Sequence, residues 1–139
     1  DICLCYGWID GQRRSYDENY YLQKYTPRRK KSLWSQVNIG KIETLTVAGR
    51  MKQPGIEAIN EAKADGRWAA AYASQREASE PEDLLTALAT NSRAKDFYET
   101  LTRAEKYSVL WRLMTARTPQ IRATRLHKMI DLLEQAQKV

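Results

Sequence analysis

Residues 7–38, GWIDGQRRSYDENYYLQKYTPRRKKSLWSQVN, decide the fold. Residues 8–16 and 20–26 are rich in β-forming side chains, and the Asp17-Glu18-Asn19 run between them is turn chemistry. The pattern predicts an antiparallel β-hairpin over residues 8–26, ended by Pro27, which cannot donate to a ladder. Two strands alone are marginal, so the hairpin needs a third strand or a helix against it. The same stretch gathers Trp8, Trp34, Tyr16, Tyr20, Tyr21 and Tyr25 with a run of cations, and no acid occurs between Asn19 and Ile42. A working site is expected here.

Upstream, Ile2, Leu4, Cys5 and Tyr6 read as the last turn of an apolar helix, with Gly7 as the left-handed residue that stops it. The chain does not open on Met and starts inside a packed element, so further residues are expected ahead of it. Downstream, Ser32 is the expected N-cap of a helix over 33–48, which places Trp34, Val37, Ile42, Leu45 and Ala48 on one face, with Asn38 and Lys41 inside that stripe. Gly49 closes that helix. Pro54 opens another, reaching about residue 64, with Ile56, Ile59 and Ala62 inward and Asp65-Gly66 as its stop. Trp68 and Tyr72 flank one more short helical turn, and the polar stretch 73–80 reads as a linker.

The remainder is helical. Ser79-x-x-Glu82 and Thr102-x-x-Glu105 both have the form of capping boxes, and Pro119 marks another start. Helices are expected over 80–90, 93–101, 103–116 and 119–137. Their apolar stripes are Leu84/Leu85/Leu88, Ala94/Phe97/Leu101, Tyr107/Trp111/Met114 and Leu126/Met129/Ile130/Leu133. The fold class is therefore α+β: a short antiparallel hairpin packed with helices over 1–72, the linker, and a helical subdomain over 81–139. The last two helices lack the turn glycine of a DNA-reading helix-turn-helix.

Composition sets the outer bounds. The 139 residues are 42% hydrophobic and 29% charged, with mean hydropathy −0.67, and no apolar run approaches the ~20 residues of a membrane span. A net charge of +6 and a pI near 9.4 favour acidic partners. Cys3 and Cys5 are separated by one residue, a spacing poorly suited to a disulfide. They read as reduced thiols, and a cytoplasmic location is expected, with the periplasm as the alternative if a preceding segment carried an export signal. His127 is the only histidine, so His-based triads and metal sites have no partners. No metal or cofactor is expected.

GWIDG at 7–11, YTPR at 25–28, S-x-W-S-x-x-N at 32–38 and G-R-M-x-x-x-G at 49–55 resemble the bacterial YdeI/OmpD-associated, or bacteriocin-protection, family. The pattern T-A-R-x-P-x-x-R-x-x-R, carried by Thr115, Ala116, Arg117, Pro119, Arg122 and Arg125, is similar to the family's ending. The resemblance implies defence against antimicrobial peptides and association with an outer-membrane porin. Members of the family usually begin some tens of residues earlier, with a strand and a helix leading into GWIDG.

The ligand-binding candidates are Trp8, Asp10, Arg28, Trp34, Ser35 and Asn38, and their bland reading is a turn or bulge at Asp10 and helix-tying hydrogen bonds at Ser35 and Asn38. The nucleic-acid or anion candidates are Lys24, Arg28, Arg29, Lys30 and Lys31, interleaved with Tyr20, Tyr21 and Tyr25. Arg122, on an apolar stripe, is expected to form a structural ion pair. The leading functional expectation is a non-catalytic stress or envelope-defence protein that binds a protein or a small anionic ligand. The rivals are a nucleic-acid module with weak, non-specific affinity on residues 20–31, and an enzyme of unknown reaction around Asp10, Arg28 and Asn38. Pairing of an exposed hairpin edge with a second copy is a further expectation.

Overall fold

The hairpin forms where its turn chemistry requires it. In the computed structural model, which describes residues 1–139, Asp17 Oδ1 accepts from the backbone N–H groups of Asn19 and Tyr20, both at 2.8 Å. This Asx turn joins β1 (Trp8–Ser15) to β2 (Tyr21–Pro27), an antiparallel pair that stays two-stranded. The register runs from Trp8 opposite Pro27 to Ser15 opposite Tyr21 and slips between Asp10 and Arg13. Gly11 and Gln12 there face Lys24 alone, a β-bulge, and Gln23 Nε2 donates to the Gly11 carbonyl at 3.1 Å.

With seven helices beside the hairpin, the protein is α+β. It divides into two compact units, Asp1–Trp68 and Ala69–Val139. No helix is long and apolar enough to cross a membrane.

In the first unit, α1 (Ile2–Cys5) ends as expected: Gly7 takes φ +73° and its N–H donates to the Leu4 carbonyl at 3.1 Å. Helices α2 (Gln36–Val47) and α3 (Gln53–Ala64) follow. Gly55 of α3 lies against α1 so closely that an added Cβ would sit 2.3 Å from the Cys5 carbonyl oxygen. The Lys52 N–H donates to the same oxygen at 3.0 Å.

Three expectations fail here. Ser35, not Ser32, caps α2, accepting from the Asn38 N–H at 3.2 Å, because residues 32–34 stay out of the helix and bury Trp34. Ser32 instead closes a turn onto Arg29. The inward face of α2 also narrows to Ile42 and Leu45, since the packed side of the helix is centred on those two residues and turns Val37, Lys41 and Ala48 out to solvent, with Asn38 half-buried at its edge. Ile56 of α3, expected inward, is exposed for the reason that Ile59 and Ala62 take the packed face.

The second unit contains α4 (Glu82–Ala89), α5 (Ser92–Thr100), α6 (Arg103–Met114) and α7 (Pro119–Glu134) around one contiguous core. Leu84, Leu88, Ala94, Tyr98, Val109, Leu113, Met129 and Leu133 are its centre. The Thr102/Glu105 capping box is reciprocal, as the sequence predicts, and Asn91 and Thr118 cap α5 and α7. Ser79 and Glu82 form no box. Such a box would put Pro81 at the second helical position and force Glu80, just before it, into a conformation that proline disfavours; α4 therefore starts after Pro81.

The stripe expected on α6 also shifts. Its core face is Val109/Leu110/Leu113, whereas the opposite side meets the chain at 72–73. There Tyr107 Oη donates to the Ala73 carbonyl at 2.7 Å and the Trp111 ring lies 6.2 Å from that of Tyr72. Leu85 is exposed on α4. Residues 73–80 are tied into this unit, with Arg103 donating to the Gln75 carbonyl and Tyr98 Oη to Glu80.

Candidate functional site

The hairpin delivers the chain to Arg28, whose backbone N–H donates to the Gly7 carbonyl at 2.9 Å. Its guanidinium lies 3.6 Å above the Trp34 ring, and Nη1 donates to the Leu33 carbonyl at 2.9 Å. Trp34, 2% exposed, packs at 5.1 Å on Trp68 with a tilted geometry. Its indole Nε1 is buried without a hydrogen-bond acceptor, which costs roughly 1–3 kcal/mol and is offset by the Trp68 ring and the Arg28 guanidinium packed against it.

Arg67 completes this cluster, and sequence reasoning missed it. Only 2% exposed, it donates through Nε to both Asp65 oxygens, at 2.9 and 2.7 Å, and through Nη1 to the Ser32 carbonyl at 2.8 Å. That last bond helps to hold residues 32–34 out of the helix. The available signal was the basic residue between the Asp65-Gly66 stop and Trp68, a short run in which an arginine has both a carboxylate and aromatic rings within reach.

Arg28, Trp34, Ser35 and Asn38 thus occupy the passage from the hairpin into α2: a stacked cation, a buried ring, a cap and the residue capped. Trp8 and Asp10 lie elsewhere, on the hairpin, opposite Pro27 and Tyr25. Because directly paired residues share a face, one face of the hairpin carries Trp8, Asp10, Arg13, Tyr21, Gln23 and Tyr25. The Arg13 guanidinium covers the Tyr21 ring at 3.5 Å. Trp8 is 40% exposed, Tyr21 54% and Tyr25 52%, a row of large rings left in water.

The other face carries Arg14, Leu22 and Lys24. The pleat therefore separates Lys24 from Tyr21 and Tyr25, which a linear reading groups together. Arg29, Lys30 and Lys31 are exposed in the loop beyond Pro27, at the Trp8 end of the aromatic face.

In the second unit the basic motif is structural. Arg122 meets Asp83 through two bonds, Nε to Oδ2 at 2.7 Å and Nη2 to Oδ1 at 2.9 Å, while Nη1 donates to the Leu113 carbonyl at 3.1 Å. The guanidinium's hydrogen bonds hold the Asp83 carboxyl below its usual range, and the carboxylate raises Arg122 in return. One turn later, Arg125 donates to the Arg112 carbonyl at 2.8 Å and to the Thr115 hydroxyl at 3.1 Å. Two α7 arginines thus cap carbonyls at the end of α6, where positive charge is favourable. Burial and the Glu80 carboxylate raise the Tyr98 phenol. His127 is exposed, 3.6 Å from Asp131, and no cluster of three or more metal-ligating side chains occurs.

Comparison with known families separates the same two regions. Residues 77–136 match the family described as Bacteriocin-protection, YdeI or OmpD-Associated, and residues 1–58 match a Domain of unknown function (DUF8412). The family resemblance is thereby shown for the helical stretch that contains the Arg122 and Arg125 pattern, while the motifs between Gly7 and Gly55 lie in the region matched by the other model. No curated protein and no solved structure matches the chain.

Proposed function

With residues 77–136 carrying the bacteriocin-protection pattern, we propose that this protein works by binding, that its contact surface is the aromatic face of the hairpin with the 28–31 loop, and that the partner is single-stranded nucleic acid. One observation carries the reading: Trp8, Tyr21 and Tyr25 are exposed on a single face, Arg13 is stacked among them, and Arg29, Lys30 and Lys31 stand at its end. Exposed rings offer stacking platforms to any base, at about 1–3 kcal/mol per base, while the cations track phosphates without regard to sequence. Tyr21 and Tyr25 are about 13 Å apart along the strand at the usual rise, room for separate bases. The guanidinium of Arg13 adds a planar cation over the Tyr21 ring. The small-anion pocket around Arg28 and Asn38 has less support, since the Arg28 guanidinium is stacked on Trp34 and bonded to the Leu33 carbonyl, and the Ser35 hydroxyl beside it caps α2. The cellular setting proposed is defence, taken from the family description of the second unit.

Fluorescence anisotropy of a labelled oligothymidylate with the full chain tests this proposal. Tyr25→Ala is expected to weaken binding about 5- to 150-fold, the equivalent of about 1–3 kcal/mol. Lys30→Gln and Lys31→Gln should each lower the salt slope by about 0.7–1. Equal affinity for an acidic polypeptide, with no loss in Tyr25→Ala, would transfer the surface to an acidic protein partner and end the nucleic-acid reading.

A further inference from the structure

A second surface of the first unit has the composition of a small-molecule site. Helices α2 and α3 flank a groove of about 520 Å³, within the ~300–1,000 Å³ range of such sites. Ile42, Met51 and Ile59 contribute apolar surface, and Trp68 also lines it. Val47 and Ile56 line it too, yet Val47 is 91% exposed. That leaves apolar area whose covering by a ligand is favourable.

The polar groups are few and lie on different walls. Asn60 and Lys63, one turn apart on α3, place an amide and an ammonium on the same side. The Lys63 Nζ stands 5.2 Å over the Trp68 ring and has no ion-pair partner. Glu43, on α2, is the only carboxylate in the lining and is also unpaired. An anionic head is therefore attracted to the α3 wall and repelled from the α2 wall, which gives the groove a polarity as well as an apolar interior.

We infer that this groove binds a small amphipathic carboxylate, its apolar body against Ile42, Met51, Ile59 and Trp68 and its head at Asn60 and Lys63. The site is distinct from the hairpin face and does not depend on the function proposed for it.

Dodecanoate, titrated below its micellar concentration into the full chain, is the probe. Trp fluorescence is the readout, and Trp68→Phe assigns the signal. Saturable binding is expected, weakened at least 10-fold by Lys63→Gln and tightened by Glu43→Gln. These opposite responses come from two surface substitutions that a folding defect would not separate. Ile56→Ser should weaken binding with the fold kept, as read by circular dichroism. Dodecyltrimethylammonium, with the same chain and the opposite charge, should bind at least 10-fold more weakly. Equal binding of the two amphiphiles, no effect of Lys63→Gln, or binding only to phosphatidylglycerol vesicles would each overturn the inference. So would a dimer in sedimentation that Ile56→Ser dissolves, because a second copy would then be the occupant.

Discussion

The two units spend their side chains differently. In the second, apolar residues of four helices converge on one core and the arginines of α7 are turned inward as carbonyl caps and an ion pair. In the first, few large residues are buried, a cation lies on a buried indole, an arginine is enclosed, and three large rings of the hairpin face stay in water. Similar aromatic and basic composition therefore stabilises one region and decorates the other. The lesson is that the direction of a side chain, which the packing decides, separates a structural arginine from one available to a partner.

The largest effect should come from the core of the second unit. Leu113 is almost fully buried, and Leu113→Ala is expected to cost about 2–5 kcal/mol in urea denaturation. A loss below about 1 kcal/mol would mean that this core relaxes freely, and the contrast with the first unit would fade.

Next is Gly55→Ala. Its methyl group would press on the backbone of α1 at Cys5, so a loss of about 1–3 kcal/mol is expected, with Trp fluorescence as the local probe. A neutral substitution would show that α1 is not held at that distance.

The Arg122–Asp83 pair comes third. Both side chains are about a third exposed, so Asp83→Asn should cost only about 1–2 kcal/mol at neutral pH. Asp83 is depressed from 3.8 by its Arg122 hydrogen bonds, and Glu105 is depressed from 4.5 to about 2, first by its bond from Lys138 and then by the Thr102 N–H. A carboxylate with a lowered folded value contributes fully above its unfolded value, and its contribution is lost as pH falls through the folded one. Stability should therefore decline between about pH 4.5 and pH 2, less steeply in Asp83→Asn, as followed by circular dichroism.

The smallest effect lies at the end of α7, where Ala136 takes φ 54° and its N–H donates to the Leu133 carbonyl at 3.0 Å. Ala136→Gly should raise stability by roughly 1 kcal/mol, because only glycine adopts that conformation without penalty. A loss on thermal denaturation would contradict the strain.

How far the sequence was legible depended on the range of the interaction. Gly7, Gly49 and Gly66 mark their turns, and the Asp17 turn and the Thr102/Glu105 box are readable because each is closed within a few residues. Ser32 reads locally as the cap and Ser35 takes that place, because the helix start is decided by Trp34 packing on Trp68 and by Arg67 reaching back to Ser32, contacts more than thirty residues apart. On α6 periodicity alone cannot choose the core stripe, because both sides of that helix meet apolar neighbours. At the candidate site the residue types were visible, but the register was not: the bulge at Gly11 and the pairing decide that Arg13 joins Tyr21 and Tyr25 while Lys24 faces away. The α2/α3 groove had no local signature at all, since its lining comes from two helices, Met51 in the connection between them and Trp68.

The central claim is that the hairpin unit meets the partner and the helical unit supports the chain. Amide chemical-shift mapping of the full-length protein with an oligothymidylate at low salt tests it most directly. The account predicts shifts concentrated in residues 8–31, with the rings of Tyr21 and Tyr25 among the most affected and residues 77–136 largely unmoved. Shifts centred on α7, or none in the hairpin at saturating ligand, would contradict it.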